Sequence, residues 1–158
     1  MNRSSEVEAV FRRLMASAVV GDDEAIRNLV SGSASVRWIT TAEDEWWSGH
    51  EQVVSLVLAR SKGAGIVRYE YPRLEGYEGG PVGWIAAETV GHRPGDDPFV
   101  ARHTAVFQLE GGAWRVVQWH ISAAAPNIEV FGYKMPGSLE ELASSLEASA
   151  SGRHGLWL

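Results

Sequence analysis

Five histidines, no cysteine and a scatter of carboxylates bound the chemistry open to this 158-residue chain. His50, His92, His103, His120 and His154 include no pair at metal-ligand spacing, and neither an HExxH motif nor a carboxylate cluster accompanies them. No metal and no cofactor is therefore expected. Without cysteine the chain has no thiolate nucleophile, no disulfide and no Cys-bound zinc. Two histidines fall in the interior of runs with strand character, His103 in "FVARHTAVFQLE" and His120 in "WRVVQWHIS". A neutral imidazole flanked by Phe107 and Trp119 could accept a proton near neutral pH, which makes His103 the candidate general base, with a tyrosine hydroxyl as electrophilic partner. The acids are poorly placed to share that work, because Glu70 and Glu88 are the only ones in the middle of a strand-like run. Gly63-x-Gly65 follows a helical pattern and lacks a third glycine, so it reads as a turn and not a dinucleotide loop. Ser31-Gly32-Ser33 reads as a linker without a nucleophile elbow.

The aromatic residues suggest binding instead. In "EDEWWSGHE", Trp46 and Trp47 stand just before a helical pattern, where they could close over an apolar or aromatic ligand or simply pack the turn onto the core. Tyr69, Tyr71 and Trp38 could add polar handles to the same place, with their facing left open.

The elements that must position these groups can be read from periodicity. Val7, Val10, Phe11, Leu14, Met15 and Ala18 recur at helical spacing, with Ser4 or Ser5 as cap and Gly21 as stop. Asp22 or Asp23 caps a short second helix carrying Ile26, Leu29 and Val30. Val36 to Thr41 reads as a brief strand. Ser48 and Glu51 have capping-box spacing, which predicts a third helix from about Gly49 that closes over Lys62 to Gly65. Ile66 to Glu75, Val82 to His92, Phe99 to Glu110 and Ala113 to Ala124 then form a four-stranded antiparallel meander. Ser138 and Glu141 repeat the capping-box spacing before Leu139, Leu142 and Leu146, predicting an extra C-terminal helix. The expectation is an α+β fold in which N-terminal helices cover a strongly curved sheet, with one domain over 1–135 and a helix and tail over 136–158.

Composition narrows the class further. With 45% hydrophobic and 22% charged residues the chain is of the globular type, and its formal charge of -6 without basic clusters argues against nucleic acid. The apolar runs are too short for a bilayer, and the first twenty residues lack the apolar core of a signal peptide, so a cytoplasmic protein is expected.

Alternation splits the last strand into Trp114, Val116, Gln118, His120 and Ser122 on one face and Arg115, Val117, Trp119 and Ile121 on the other. Its partner divides into Arg102, Thr104, Val106 and Gln108 against His103, Ala105, Phe107 and Leu109. A two-residue loop between them would pair His103 with His120, whereas a three-residue loop with a bulge would set His103 beside Trp119. From the residues alone both registers stand.

The order of elements, together with "GDDEAIRNLVS", "EWWSGHEQV" and "WRVVQWHIS", resembles the nuclear transport factor two-like superfamily over about residues 5–126. Within it the chain is similar to SnoaL-like domains and to the association domain of calcium/calmodulin-dependent kinases. The resemblance implies a cone-shaped pocket between sheet and helices and, commonly, a dimer through the outer sheet surface. The kinase domain's pocket positions match Ala105 and Ile121, which favours the register with His103 beside Trp119. The pocket face then holds Ile85, Ala87, Thr89, His103, Ala105, Phe107, Val117, Trp119 and Ile121, with Trp38, Trp47 and Tyr69 reaching the same space. Trp84, Glu88, Arg102, Thr104, Gln118 and His120 face outward, a mixture suited to a subunit contact. The kinase domain's basic pocket is not implied, because Thr89, Ala105 and Ile121 stand at the corresponding positions. Three functions follow as expectations: a homodimeric binder of a small apolar or aromatic molecule; a cofactor-independent isomerase, cyclase or dehydratase using His103; or an assembly module without ligand.

Overall fold

A computed structural model of the chain describes residues 1–123 together with 125, 138, 140, 141, 143 and 144. Residues 1–124 form one compact unit and 125–158 a second. In the second, the Ser138 hydroxyl accepts the Glu141 amide at 3.1 Å. Residues 140, 141, 143 and 144 are helical, while the other residues of the expected last helix, and the expected boundary at 135, lie outside the described residues.

In the first unit a two-residue strand β1 (Asn2–Arg3) leads into α1 (Ser5–Val20). Ser4, in extended backbone, accepts the Val7 amide at 3.3 Å, and Gly21 ends the helix at φ 69. The stripe of Val7, Phe11, Leu14 and Met15 is buried as the spacing predicts. Helix α2 (Asp23–Leu29) is capped by Asp22, whose carboxylate accepts the Ala25 amide at 3.0 Å. Two short strands, β2 (Arg37–Ile39) and β3 (Trp46–Ser48), form a hairpin before α3 (His50–Ala64). The expected capping box at Ser48 does not form. Ser48 is committed to pairing with Arg37, the helix is capped by Gly49 without a side-chain bond, and Glu51 reaches Arg27 at 3.0 Å instead.

The long strands β4 (Arg68–Gly79), β5 (Val82–His92), β6 (Phe99–Glu110) and β7 (Ala113–Ala123) make the expected meander, but the sheet is larger, with seven strands in the order β1-β4-β5-β6-β7-β2-β3. Strand β2 joins β7 in parallel, which sets Trp38 opposite Trp119. Strand β4 runs past the predicted end at Glu75. The glycine at 76 is a contact rather than a turn: a Cβ there would stand 2.5 Å from Glu8 Cγ and 2.7 Å from the Ser4 carbonyl oxygen, so only glycine lets the start of α1 lie on β4.

Two bulges decide which side chains face the helices. One falls between Glu70 and Arg73 on β4, where Pro72, which has no N–H to donate, sits in the irregularity. The other is on β7. Gly111 and Gly112, at φ 57 and 83, close a two-residue hairpin loop, so β6 and β7 start in the tight register, with Phe107 opposite Val116. One extra residue, Val117, then shifts the pairing, and Ala105 lies opposite Trp119 and His103 opposite Ile121. His103 therefore shares a face with Trp119, through a bulge inside the strand and not in the loop. The expected facing of β7 needs correcting at its first half: Trp114 and Val116 are buried and Val117 is only half-buried.

Helices α1, α2 and α3 gather on the inner face of the sheet, and the core runs from Val7 and Phe11 through Ile26, Val36, Val53 and Val54 to Ile85, Phe107, Val116 and Trp119. Among the described residues no helix is long and apolar enough to cross a membrane.

Candidate functional site

Between α1, α3 and one end of the sheet lies a cavity of about 580 Å³, within the range of small-molecule sites. Its apolar wall comes from Leu14, Met15, Ala18 and Val19 on α1, Val57 on α3, and Ile66, Phe99, Val100 and Ile121 from the sheet side. The amphipathic stripe of α1 explains that wall directly: its C-terminal turns carry Leu14, Met15 and Ala18 toward the sheet.

At the back of the cavity Trp119 is clamped between two rings. Trp38 stacks on it with centroids 4.7 Å apart and planes at 19°, and Phe11 stacks at 5.0 Å and 22°. The His103 ring stands perpendicular to Trp119, at 5.6 Å and 90°. Its Nδ1 accepts the indole N–H of Trp119 at 3.2 Å, and its Nε2 lies 2.9 Å from the Thr89 hydroxyl oxygen. An indole nitrogen can only donate, so Nδ1 carries no proton, and the neutral ring holds its proton on Nε2, where it donates to Thr89. Burial pushes the His103 pKa down to about 4. Both nitrogens are thus occupied, one by Trp119 and one by Thr89, and no lone pair is left for a substrate proton.

Of the residues expected at the pocket, Trp38, Tyr69, His103, Trp119 and Ile121 line the cavity, whereas Trp47, Ile85, Ala87, Thr89, Ala105, Phe107 and Val117 do not. Thr89 is fully buried behind His103. Phe107 faces the same way, but it lies further along β6 opposite Val116, in the filled part of the core. Trp47 is held in the β2–β3 hairpin opposite Trp38, packed against the core from outside the cavity, and Trp46 is 64% exposed. Neither tryptophan is a lid.

The polar lining consists of Thr41, Arg60, Ser61, Tyr69, Arg93 and His103, without a single carboxylate among the described residues. Arg60, on α3, is tied to the Glu45 carboxylate and, at 3.1 Å, to the Thr40 hydroxyl. Thr40, the Ala42 amide and Arg60 together hold the Glu45 carboxyl down at about 2. Arg93 lies over the Phe99 ring at 4.9 Å. Burial raises the Tyr69 phenol to about 12, so it remains a hydroxyl donor at any ordinary pH. Arg60 continues the helical stripe of Val53, Leu56 and Val57, a signal that could have marked it. Arg93 follows the end of β5 in a loop, where no periodicity points inward.

The outer-face residues Arg102, Gln118 and His120 are exposed, and Trp84 and Glu88 are half-exposed. Glu88 stands opposite Arg102, Thr104 opposite His120, and Trp84 stacks on Tyr77 at 5.7 Å.

The sequence matches the SnoaL-like domain family over residues 7–126. The chain belongs to that family. Solved structures agree on the architecture. An NTF2-like protein of unknown function from Pseudomonas putida KT2440 superposes with a TM-score of 0.66 at 16% identity, covering 77% of this chain and 89% of that one. A protein from Streptomyces avermitilis put forward as a dehydratase of the NTF2-like family gives 0.62 at 14% identity, covering 76% and 94%. One from Parabacteroides distasonis put forward as a ketosteroid isomerase gives 0.57 at 17% identity, covering 72% and 84%. At these identities the likeness establishes the NTF2-like α+β fold of this SnoaL-like domain and nothing finer. No curated protein matches the sequence.

Proposed function

We propose that this SnoaL-like domain binds a small, largely apolar or aromatic molecule in its cavity and works as a homodimer in the cytoplasm. The observation that carries the reading is an open cavity of about 580 Å³ with an aliphatic wall and a rigid aromatic back. A pure assembly module would have filled that space with its own side chains, since each unfilled part of a core forfeits packing energy. The exposed mixture of Arg102, Gln118 and His120 beside Trp84 and Glu88 supports a contact between two copies, with polar groups pairing across it.

Proton-transfer catalysis is the second reading, favoured by the structures put forward as a dehydratase and a ketosteroid isomerase. Against it stand the committed nitrogens of His103 and a lining without a carboxylate base. Native mass spectrometry of freshly purified protein tests the leading reading. A small organic adduct, released on denaturation, is expected, together with an assembly of twice the chain mass. A bare chain that also gains no thermal stability from any apolar or aromatic probe would remove the reading.

A further inference from the structure

Resting on that binding reading, we infer that the ligand is a monocarboxylic acid, its apolar body in the aliphatic part of the cavity and its carboxylate held by the Arg93 guanidinium and the Tyr69 hydroxyl. Three observations carry this.

The first is sign. In an acidic protein of formal charge -6, the cavity's charged lining residues are two arginines. An anion entering there meets no opposing carboxylate on the wall.

The second is which arginine is free. Arg60 already serves Glu45 and Thr40. Among the described residues the Arg93 side chain makes no hydrogen bond. Its one acidic neighbour, Asp96, stands 4.0 Å away, at the outer limit of an ion pair, and the guanidinium rests over the Phe99 ring. A guanidinium seated over a ring keeps its in-plane N–H donors for a carboxylate, which it can hold in a fork.

The third is a spare donor beside it. Tyr69 lies at the start of β4, opposite Gly91 near the end of β5, and Arg93 follows two residues later. The Arg93 charge is close enough to act on the Tyr69 phenol. Tyr69 lines the cavity, and its hydroxyl makes no hydrogen bond among the described residues. That leaves its O–H to donate to a bound acceptor. One free guanidinium balances one negative charge, which selects a carboxylate over a phosphate dianion.

Isothermal titration with 2-naphthoate, its uncharged amide 2-naphthamide, and 2-naphthyl phosphate tests the inference. In the unaltered protein 2-naphthoate should bind about tenfold tighter than the amide, the gain expected of one charge-assisted contact at a part-exposed site. Arg93→Gln should abolish that preference, and Tyr69→Phe should weaken 2-naphthoate about threefold. Equal binding of acid and amide would overturn the carboxylate site and leave the apolar cavity reading intact. A preference that survives Arg93→Gln, or tighter binding of the phosphate, would also overturn it. Failure of all three probes would remove the cavity reading together with this one.

Discussion

Acidification should destabilise this protein through a residue that is almost wholly buried. His103 is 4% exposed, and burial lowers its pKa from 6.5 to about 4. The unfolded chain therefore takes up a proton about 2.5 pH units before the folded one does, and protonation favours unfolding. The sign is fixed by that order. Stability is at its full value above about pH 6.5, falls as the pH drops toward about 4, and receives no further loss from this group below that. At about 1.4 kcal/mol per unit the whole loss approaches about 3 kcal/mol, of which about 2 kcal/mol is spent by about pH 5. Burial accounts for the penalty, and geometry adds to it. A second ring proton would sit on Nδ1, facing the Trp119 N–H at 3.2 Å, so donor would oppose donor. Glu45 acts elsewhere, since its carboxyl is held at about 2 and its contribution is lost only below the ordinary carboxylate range. Urea denaturation followed by tryptophan fluorescence, at about pH 7 and about pH 5, measures the effect. His103→Gln keeps an acceptor and a donor but cannot titrate, so it should lose about 2 kcal/mol less than the unaltered protein over that interval, whatever its starting stability. Equal losses in the two proteins would refute the buried neutral ring.

Three further substitutions probe the frame. Gly76→Ala forces a Cβ into Glu8 and the Ser4 carbonyl, and thermal unfolding should show a loss of about 1–3 kcal/mol, with the start of α1 displaced. Thr89→Val keeps the volume but strands the Nε2 proton of His103; a cost of about 1–3 kcal/mol in chemical denaturation is expected, and a neutral result would mean that the Thr89 contact adds no net stability. Ser4→Ala removes both the cap on the Val7 amide and the 2.6 Å bond to Glu78, and should cost about 1–2 kcal/mol, visible as a lower melting temperature and reduced helical circular dichroism.

What could be read from sequence was local. The stripe from Val7 to Ala18, its Ser4 cap and Gly21 stop obey rules that span a few residues, and the structure follows them. The order of the four long strands was equally legible, because β-branched and aromatic runs alternate with turns. Side-chain facing was not, since one inserted residue reverses it: Val117 carries no mark in the sequence, while Pro72 does mark its bulge. Pairing at a distance was hidden as well. Nothing near Trp38 announces that it will lie parallel to β7 and stack on Trp119. Sharing a face is also weaker than sharing a cavity. Thr89 and Phe107 point inward as expected, yet one lies behind His103 and the other beneath the helices. Arg93 could not be found at all, because a loop residue acquires its neighbours only when the sheet is assembled.

The extra residue at Val117 divides a single strand between two tasks. Ahead of it, Trp114 and Val116 fasten the sheet to the helices; beyond it, Trp119 and Ile121 furnish the chamber. Were the strand to pair with every residue in step and no bulge, Trp119 would stand opposite Thr104 and His120 opposite His103, which would turn His120 toward the hollow and Trp119 toward water with composition and charge untouched. Relatives that keep or lose this single bulge should therefore differ in what they can hold far more than their overall resemblance suggests.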